Sequence, residues 1–258
     1  MQDYRTRFYR IEGIILARQD WGEADRMIVL FTPDRGKLRV VAPGVRKPTS
    51  RKSGHLELFT RGRFVLVRGR TFDKITQAET VDYFAGLRCS LEQISAAYVL
   101  AELVDRFLEE KDENPLLYQL LLNALGWLEQ GDPPALLLRF FELKLFGYIG
   151  YQPQLFYCQS CDKDVQAIDQ YFSISEGGII CPTCRNKKKP VPHVPISLHA
   201  LKVLRFMQRS EWDTIRRLRL NQQLANELER LLQRYGVFHL GRHLKSVRFM
   251  DEVKRLAD

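Results

Sequence analysis

The hydrophobic pattern of this chain changes period near residue 90. Before that point, short runs rich in β-branched residues alternate with turn signals, as strands require. Arg10–Ala17 is rich in Ile, and Met27–Phe31 follows a polar turn at residues 20–25. Thr32-Pro33-Asp34-Arg35-Gly36 is a tight-turn sequence, because Pro presets φ and Gly accepts positive φ. Lys37-Leu38-Arg39-Val40-Val41 alternates basic with apolar side chains, the period of a strand with one wet face. Pro43–Gly54, rich in Gly, Pro, Ser and basic residues, reads as an adaptable loop. Arg63–Arg68 and Lys74–Ala78 then read as a hairpin turning at residues 69–73. Five short strands within eighty residues predict a small barrel of the OB type.

Beyond Ser90 the period is helical. Leu91, Ile94, Ala97, Tyr98, Ala101, Val104 and Leu108 share one face at i, i+3, i+4, i+7 spacings. Asn114-Pro115 carries the N-cap and first-turn Pro of a second helix. After Gly131-Asp132-Pro133-Pro134, the very apolar Ala135–Tyr148 predicts a helix central to the core. Ser197–Gln208, Asn221–Tyr235 and Leu240–Leu256 predict three more. The expected class is α+β: an OB-type domain over 1–80 and a mainly helical domain over 81–258, with an insertion at 151–194. Arg139, Glu142 and Lys144 break the most apolar stretch, so no membrane span is expected. Arg5, Arg7 and Arg10 precede no apolar run of the signal-peptide kind, and a cytoplasmic location is expected.

The insertion carries Cys158-x2-Cys161 and Cys181-x2-Cys184, separated by nineteen residues. This spacing predicts a zinc ribbon, with four thiolates closing one tetrahedral, structural Zn2+ site and leaving no position for a reactive water. A redox dithiol would have one such pair near a βαβ pattern, and two disulfides do not suit a reducing compartment. Cys89 stands alone and is expected to be buried as a small hydrophobe. Arg185 and Lys187, Lys188 and Lys189 follow the last ligand, and read first as a solvated tether.

Charge sharpens this division. The net charge of +9 is the sum of +8 over residues 1–80, −6 over 81–157 and +7 over 158–258. A basic β domain points to a polyanion, since each phosphate contact releases a counterion. Arg35, Lys37 and Arg39 are expected along a turn and one strand face, with Arg46, Lys47, Arg51 and Lys52 on the loop beside it. Phe8, Tyr9 and Phe31 are expected in the core, so backbone contacts should dominate over base stacking. Asp105, Glu109, Glu110, Asp112 and Glu113 read as a solvated helix end. His239 and His243, at i and i+4, read as packing residues. No Walker A, H-E-x-x-H or G-x-S-x-G motif is present, and the chain is not expected to be an enzyme or to bind a nucleotide cofactor.

Gly13-Ile14-Ile15-Leu16, Gly22-Glu23-Ala24-Asp25-Arg26, Leu30-Phe31-Thr32, Gly36-Lys37-Leu38 and Gly44-Val45-Arg46-Lys47 occur in the order found in the N-terminal barrel of the bacterial recombination mediators called RecO. The likeness continues through Leu145-Phe146-Gly147-Tyr148, the four cysteines and Leu240-Gly241-Arg242-His243-Leu244-Lys245-Ser246, so the chain resembles the zinc-containing branch of that family over nearly its whole length. The resemblance implies binding of single- and double-stranded DNA, annealing of complementary strands, and, with RecR, loading of RecA onto DNA coated by single-strand-binding protein, near the nucleoid. It also implies contact with the acidic C-terminal tail of that binding protein. Arg205, Arg209, Arg216, Arg217, Arg242 and Lys245 are candidates for that contact, being basic and on helical segments. An RNA-binding or ribosome-associated OB and zinc-ribbon protein is the alternative.

Overall fold

A computed structural model describes residues 7–186 and 193–257; Lys187, Lys188 and Lys189 lie outside the described residues. Five strands, β1 (Phe8–Trp21), β2 (Asp25–Thr32), β3 (Gly36–Ala42), β4 (Arg61–Val67) and β5 (Asp73–Asp82), close a barrel in the order β1-β2-β3-β5-β4. β1 serves two neighbours: Phe8–Ile14 pairs with β4, and Ile14–Trp21 with β2. A register shift between Ile15 and Ala17 lets one strand turn this corner, as bulges do. The ring closes through a short parallel contact, Val40 and Val41 of β3 against Asp73 and Lys74 of β5. Alternation puts Ile11, Ile15, Ile28, Leu30, Val40 and Leu66 inside, and Val45 and Leu56 of the β3–β4 connection join them.

The same alternation turns Phe31, Val29 and Met27 of β2, and their partners Lys37, Arg39 and Val41 of β3, outward. One end of that outer face is covered. Phe31 is fully buried and meets Tyr118 of α2 (Pro115–Glu129) edge to face at 5.6 Å. Lys37 is buried against the C-terminal end of α1 (Leu91–Phe107), where its Nζ lies 3.3 Å from Asp105 Oδ1. The first compact unit therefore holds the barrel together with α1, α2 and α8 (Lys245–Ala257). Ser246, at the start of α8, donates both its N–H and its hydroxyl to Glu102 of α1, at 2.7 and 2.6 Å.

The second unit, Asp132–Lys245, is built on α3 (Pro134–Tyr148). It also contains a three-stranded sheet in the order β7 (Gly178–Ile180), β6 (Gln170–Ser173), β8 (His193–Ile196). Its other helices are the short α4 (Pro182–Arg185) and α6 (Trp212–Ile215), with α5 (Leu198–Arg209) and α7 (Gln222–Leu240). Side-chain caps set the predicted starts: Ser90, Asn114, Ser197 and Asn221 each accept a backbone N–H three residues on, ahead of α1, α2, α5 and α7. The helix expected at Leu240–Leu256 is instead divided. α7 runs on to Leu240 and stops at Gly241, whose φ of 66° is a left-handed cap, and α8 begins at Lys245. His239 and His243 therefore do not share a helix face.

α3 buries an ion pair as well as its apolar residues. Arg139 Nη2 donates to Glu142 Oε1 at 3.0 Å, and Arg139 Nε lies 2.9 Å from Glu142 Oε2. Glu229 of α7 is 3.4 Å from the same guanidinium. Burial pushes the Glu142 carboxyl up to about 7; Arg139 opposes the rise and Glu229 adds to it.

Two outcomes follow. Phe31→Ala opens a cavity between the barrel and α2, and should cost about 3–5 kcal/mol in urea unfolding. Glu142 binds its proton more tightly folded than unfolded, so its contribution to stability is complete in acid and is lost as pH rises towards 7. Between about pH 4.5 and about pH 7 the native chain should lose unfolding free energy relative to Glu142→Gln, read as a growing gap in urea midpoint that levels off above pH 7.

Candidate nucleic-acid interface and metal centre

In OB barrels, ligands lie across the second and third strands, between the β1–β2 and β4–β5 loops. Here the accessible outer positions of that face are Val29 and Arg39 at its middle; Phe31 and Lys37 at one end are covered by helices, and Met27 and Val41 at the other are buried too. At the covered end Lys37 cannot offer its ammonium to a phosphate: it is 5% exposed and also donates to the Asp105 backbone carbonyl. Its outward direction was legible in the alternation; the helix end above it was not. The acidic segment expected to be solvated supplies this cover, since Asp105 holds Lys37 and Glu110 holds Arg39 at 2.9 Å. Arg39 remains exposed at the edge of the cover.

The other expected contacts are divided between the two ends of β3. Arg35 lies in the β2–β3 turn, exposed, with its guanidinium over the Tyr9 ring at 4.9 Å. Tyr9 also donates to Asp73 Oδ2, and its phenol is raised by burial and by that carboxylate. Arg46, Lys47, Arg51 and Lys52 follow the far end of β3, about 20 Å away at a strand rise of about 3.3 Å.

The segment carrying these four is pinned rather than adaptable. Gly44 N–H donates to Asp25 Oδ1 at 2.7 Å, and Arg46 N–H to the Ala24 carbonyl at 2.9 Å. Lys52 Nζ is spent on the carbonyls of Pro43 and Ile75, and burial lowers its pKa. Arg46 lies 3.4 Å from Asp20. Lys47 and Arg51 are exposed and have no ion pair among the described residues.

The cations that sequence reasoning passed over lie on the β4–β5 loop and at the start of β5. Arg68, Arg70 and Lys74 are exposed and have no ion pair among the described residues. Lys74 is the register partner of Val41, which puts it on the same outer side as Arg39. Phe72 of this loop meets Trp21, the last residue of β1, at 5.9 Å. Reading the 69–73 hairpin as the fourth loop of an OB barrel, rather than as a bare turn, would have singled out Arg68, Arg70, Phe72 and Lys74, but not Trp21. Of the aromatics assigned to the core, Phe31 is there, Tyr9 is half-buried and Phe8 is exposed.

The metal centre assembles from two turns. Cys158 N–H donates to the Lys163 carbonyl and Asp162 N–H to the Cys158 carbonyl, both at 2.9 Å, curling Cys158–Cys161 back on itself. Cys181 leaves β7 and caps α4, and its N–H donates to Cys158 Sγ at 3.3 Å. Gln159 N–H bonds the Ile179 carbonyl at 2.8 Å and joins the halves. Gly178 permits this approach, because a Cβ there would lie 2.6 Å from Gln159 Nε2 and 2.8 Å from the Gln154 carbonyl.

The four Sγ atoms lie within 4.8 Å of one another. Tetrahedral bonds of about 2.3 Å need sulfurs about 3.8 Å apart, so four sulfurs this close together could hold one thiophilic ion. Burial resists ionisation of Cys158, but the N–H groups of Cys181, Ser160 and Cys161 bring its thiol down to about 7. Cys89, by contrast, is exposed at the end of a 3-10 turn whose buried residue is Leu87.

The tail candidates are scattered over the second unit. Arg205 and Arg209 of α5 both stack on Phe156, and Arg205 also donates twice to the Leu155 carbonyl. Arg216 is held by Asp132 at 2.7 Å. Arg217, Arg242 and Lys245 are exposed. A cleft of about 590 Å3 between the small sheet and α7, lined by Tyr171, Val194, Ile196, Leu231, Arg230 and Arg234, was not anticipated.

Comparison with known proteins agrees with this architecture. Residues 6–84 match the family described as Recombination protein O N terminal, and residues 88–248 match Recombination protein O C terminal. A protein of Dehalococcoides mccartyi (strain BAV1) named DNA repair protein RecO is 39% identical over 250 residues, 97% of each chain. Its namesake in Roseiflexus sp. (strain RS-1) is 41% identical over 252 residues, 98% of this chain and 88% of that one. That of Desulforamulus reducens is 35% identical over 247 residues. With both halves matched in order and such identity sustained over nearly the whole length, the chain belongs to the recombination protein O family.

Proposed function

We propose that the chain is a non-catalytic, DNA-binding mediator of recombination in DNA repair. It binds single- and double-stranded DNA and anneals complementary strands. With RecR it helps load RecA onto DNA coated by single-strand-binding protein. The observation that carries the DNA reading is the rim formed by the β4–β5 loop and the start of β5, where Arg68, Arg70 and Lys74 are exposed and have no carboxylate partner among the described residues. Unpaired cations beside an OB face are the feature that neutralises phosphates without reading sequence. Arg35, Arg39, Arg46, Lys47 and Arg51 extend this basic surface along both ends of β3, whereas Lys37 and Lys52 act inside the fold.

The four cysteines hold a structural zinc ion. They would supply all its ligands, and the ion in turn would fix the two turns to each other. The acidic tail of single-strand-binding protein is assigned to the second unit, with Arg205, Arg209, Arg217, Arg242 and Lys245 as its cationic contacts and Arg216 already engaged by Asp132.

Fluorescence anisotropy with a labelled oligonucleotide tests the DNA reading. Affinity should fall steeply with salt, and reversing Arg68, Arg70 and Lys74 to Glu should lower the log–log slope by about 2 for single strands. Lys37→Met should lower the unfolding midpoint and leave the slope unchanged. Stronger binding to structured RNA than to DNA, or no salt dependence, would overturn the assignment. For the metal, elemental analysis should find one zinc per chain. Cys161→Ser with Cys184→Ser should abolish it and expose the ribbon to protease, while Cys89→Ser should change neither.

A further inference from the structure

Large apolar side chains at the tip of a barrel are costly unless something uses them, and Trp21 is 47% exposed. It closes β1 and faces outward, because its register partner Asp25 precedes the outward-facing Met27 by two. Phe72 reaches it from the β4–β5 loop, with the ring planes at 81°. A T-shaped pair covers one face of one ring and leaves other ring faces open. The two loops joined by this contact are those that border the outer face of β2 and β3. Met27 and Val41, register partners on the outer side, are buried there at 8% and 7% exposure, which leaves the aromatic rings and the cations as the accessible groups. The rim is cationic, with Lys74 beside Val41 and Arg70 two residues before Phe72.

Exposed aromatic faces beside cations without carboxylate partners match one ligand chemistry. A nucleotide whose base is unpaired presents a π-face to the rings and a phosphate to the rim. A duplex hides those faces in its own stack and offers only phosphates. We propose that Trp21 and Phe72 form a base-stacking subsite for unpaired nucleotides, which gives the barrel a preference for single strands over duplex. The proposal rests on the reading of the barrel as a DNA surface, and it revises the expectation that backbone contacts dominate over base stacking.

The native full-length chain, a thymidine oligonucleotide, an abasic oligonucleotide of equal length and a blunt duplex provide the test. Phosphate number is shared by the two single strands, so only base contacts separate them. The thymidine strand should bind about ten-fold or more tightly than the abasic strand, in the range of one stacked base. Its addition should quench tryptophan emission, and the quench should be absent in Trp21→Leu. Trp21→Leu and Phe72→Leu should lose about that same factor for the thymidine strand and little for the duplex or the abasic strand, while Trp21→Phe should recover part of it.

Equal affinity of the native chain for thymidine and abasic strands would overturn the stacking subsite while leaving the DNA surface intact. An equal loss for all three ligands in Trp21→Leu would also overturn it, by making the pair a brace between loops. Failure of the native chain to bind any of the three would remove the DNA reading and the subsite together.

Discussion

Lys37 and Asp105 set the terms on which the first unit is built. The ammonium sits between a backbone carbonyl and a carboxylate at the end of α1, and Lys111 N–H returns a bond to the Lys37 carbonyl at 2.8 Å. A buried lysine without such partners would be strongly destabilising, so the contact requires the helix end to sit on β3. That placement seals the end of the outer face that contains Phe31 and Tyr118. At the opposite end Met27 and Val41 are buried as well, and the exposed groups there are Trp21 and Lys74. One internal ion pair thus closes one end of an OB face.

Charge segregation acquires a second meaning from this contact. The basic first third and the acidic middle of the chain are partly complementary to each other, since Asp105 and Glu110 take up Lys37 and Arg39. Part of the net positive charge that counting assigns to a polyanion is therefore internally compensated. What is left concentrates on the β4–β5 loop and on the segment after β3. Solvent-exposed cations without acids nearby are the ones whose counterions a phosphate backbone can displace.

The second unit solves a different problem. Its apolar helix α3 carries Arg139 and Glu142 into the core, where the fork between them and the approach of Glu229 satisfy charges that would otherwise be expensive. Its small sheet is short, and the four cysteines come within 4.8 Å of one another beside it, close enough to hold a metal ion. The cluster depends on close backbone contacts as much as on cysteines, as Gly178 makes plain.

Strand alternation, helical period, caps and cysteine spacing pointed to the five strands, the starts of α1, α2, α5 and α7, and the four cysteines that cluster, because each is a local property of neighbouring residues. Cysteine spacing needed no fold to be read. The outward direction of Lys37 was equally local, but whether outward meant wet depended on a helix end nearly seventy residues away in sequence. The break at Gly241 was local yet ambiguous, since apolar residues continue on both sides of it. The exposed rim of the barrel, with Arg68, Arg70, Trp21 and Phe72, was decided only by tertiary structure. Barrel closure brings the β1–β2 and β4–β5 loops together, and no pattern within either loop records its partner.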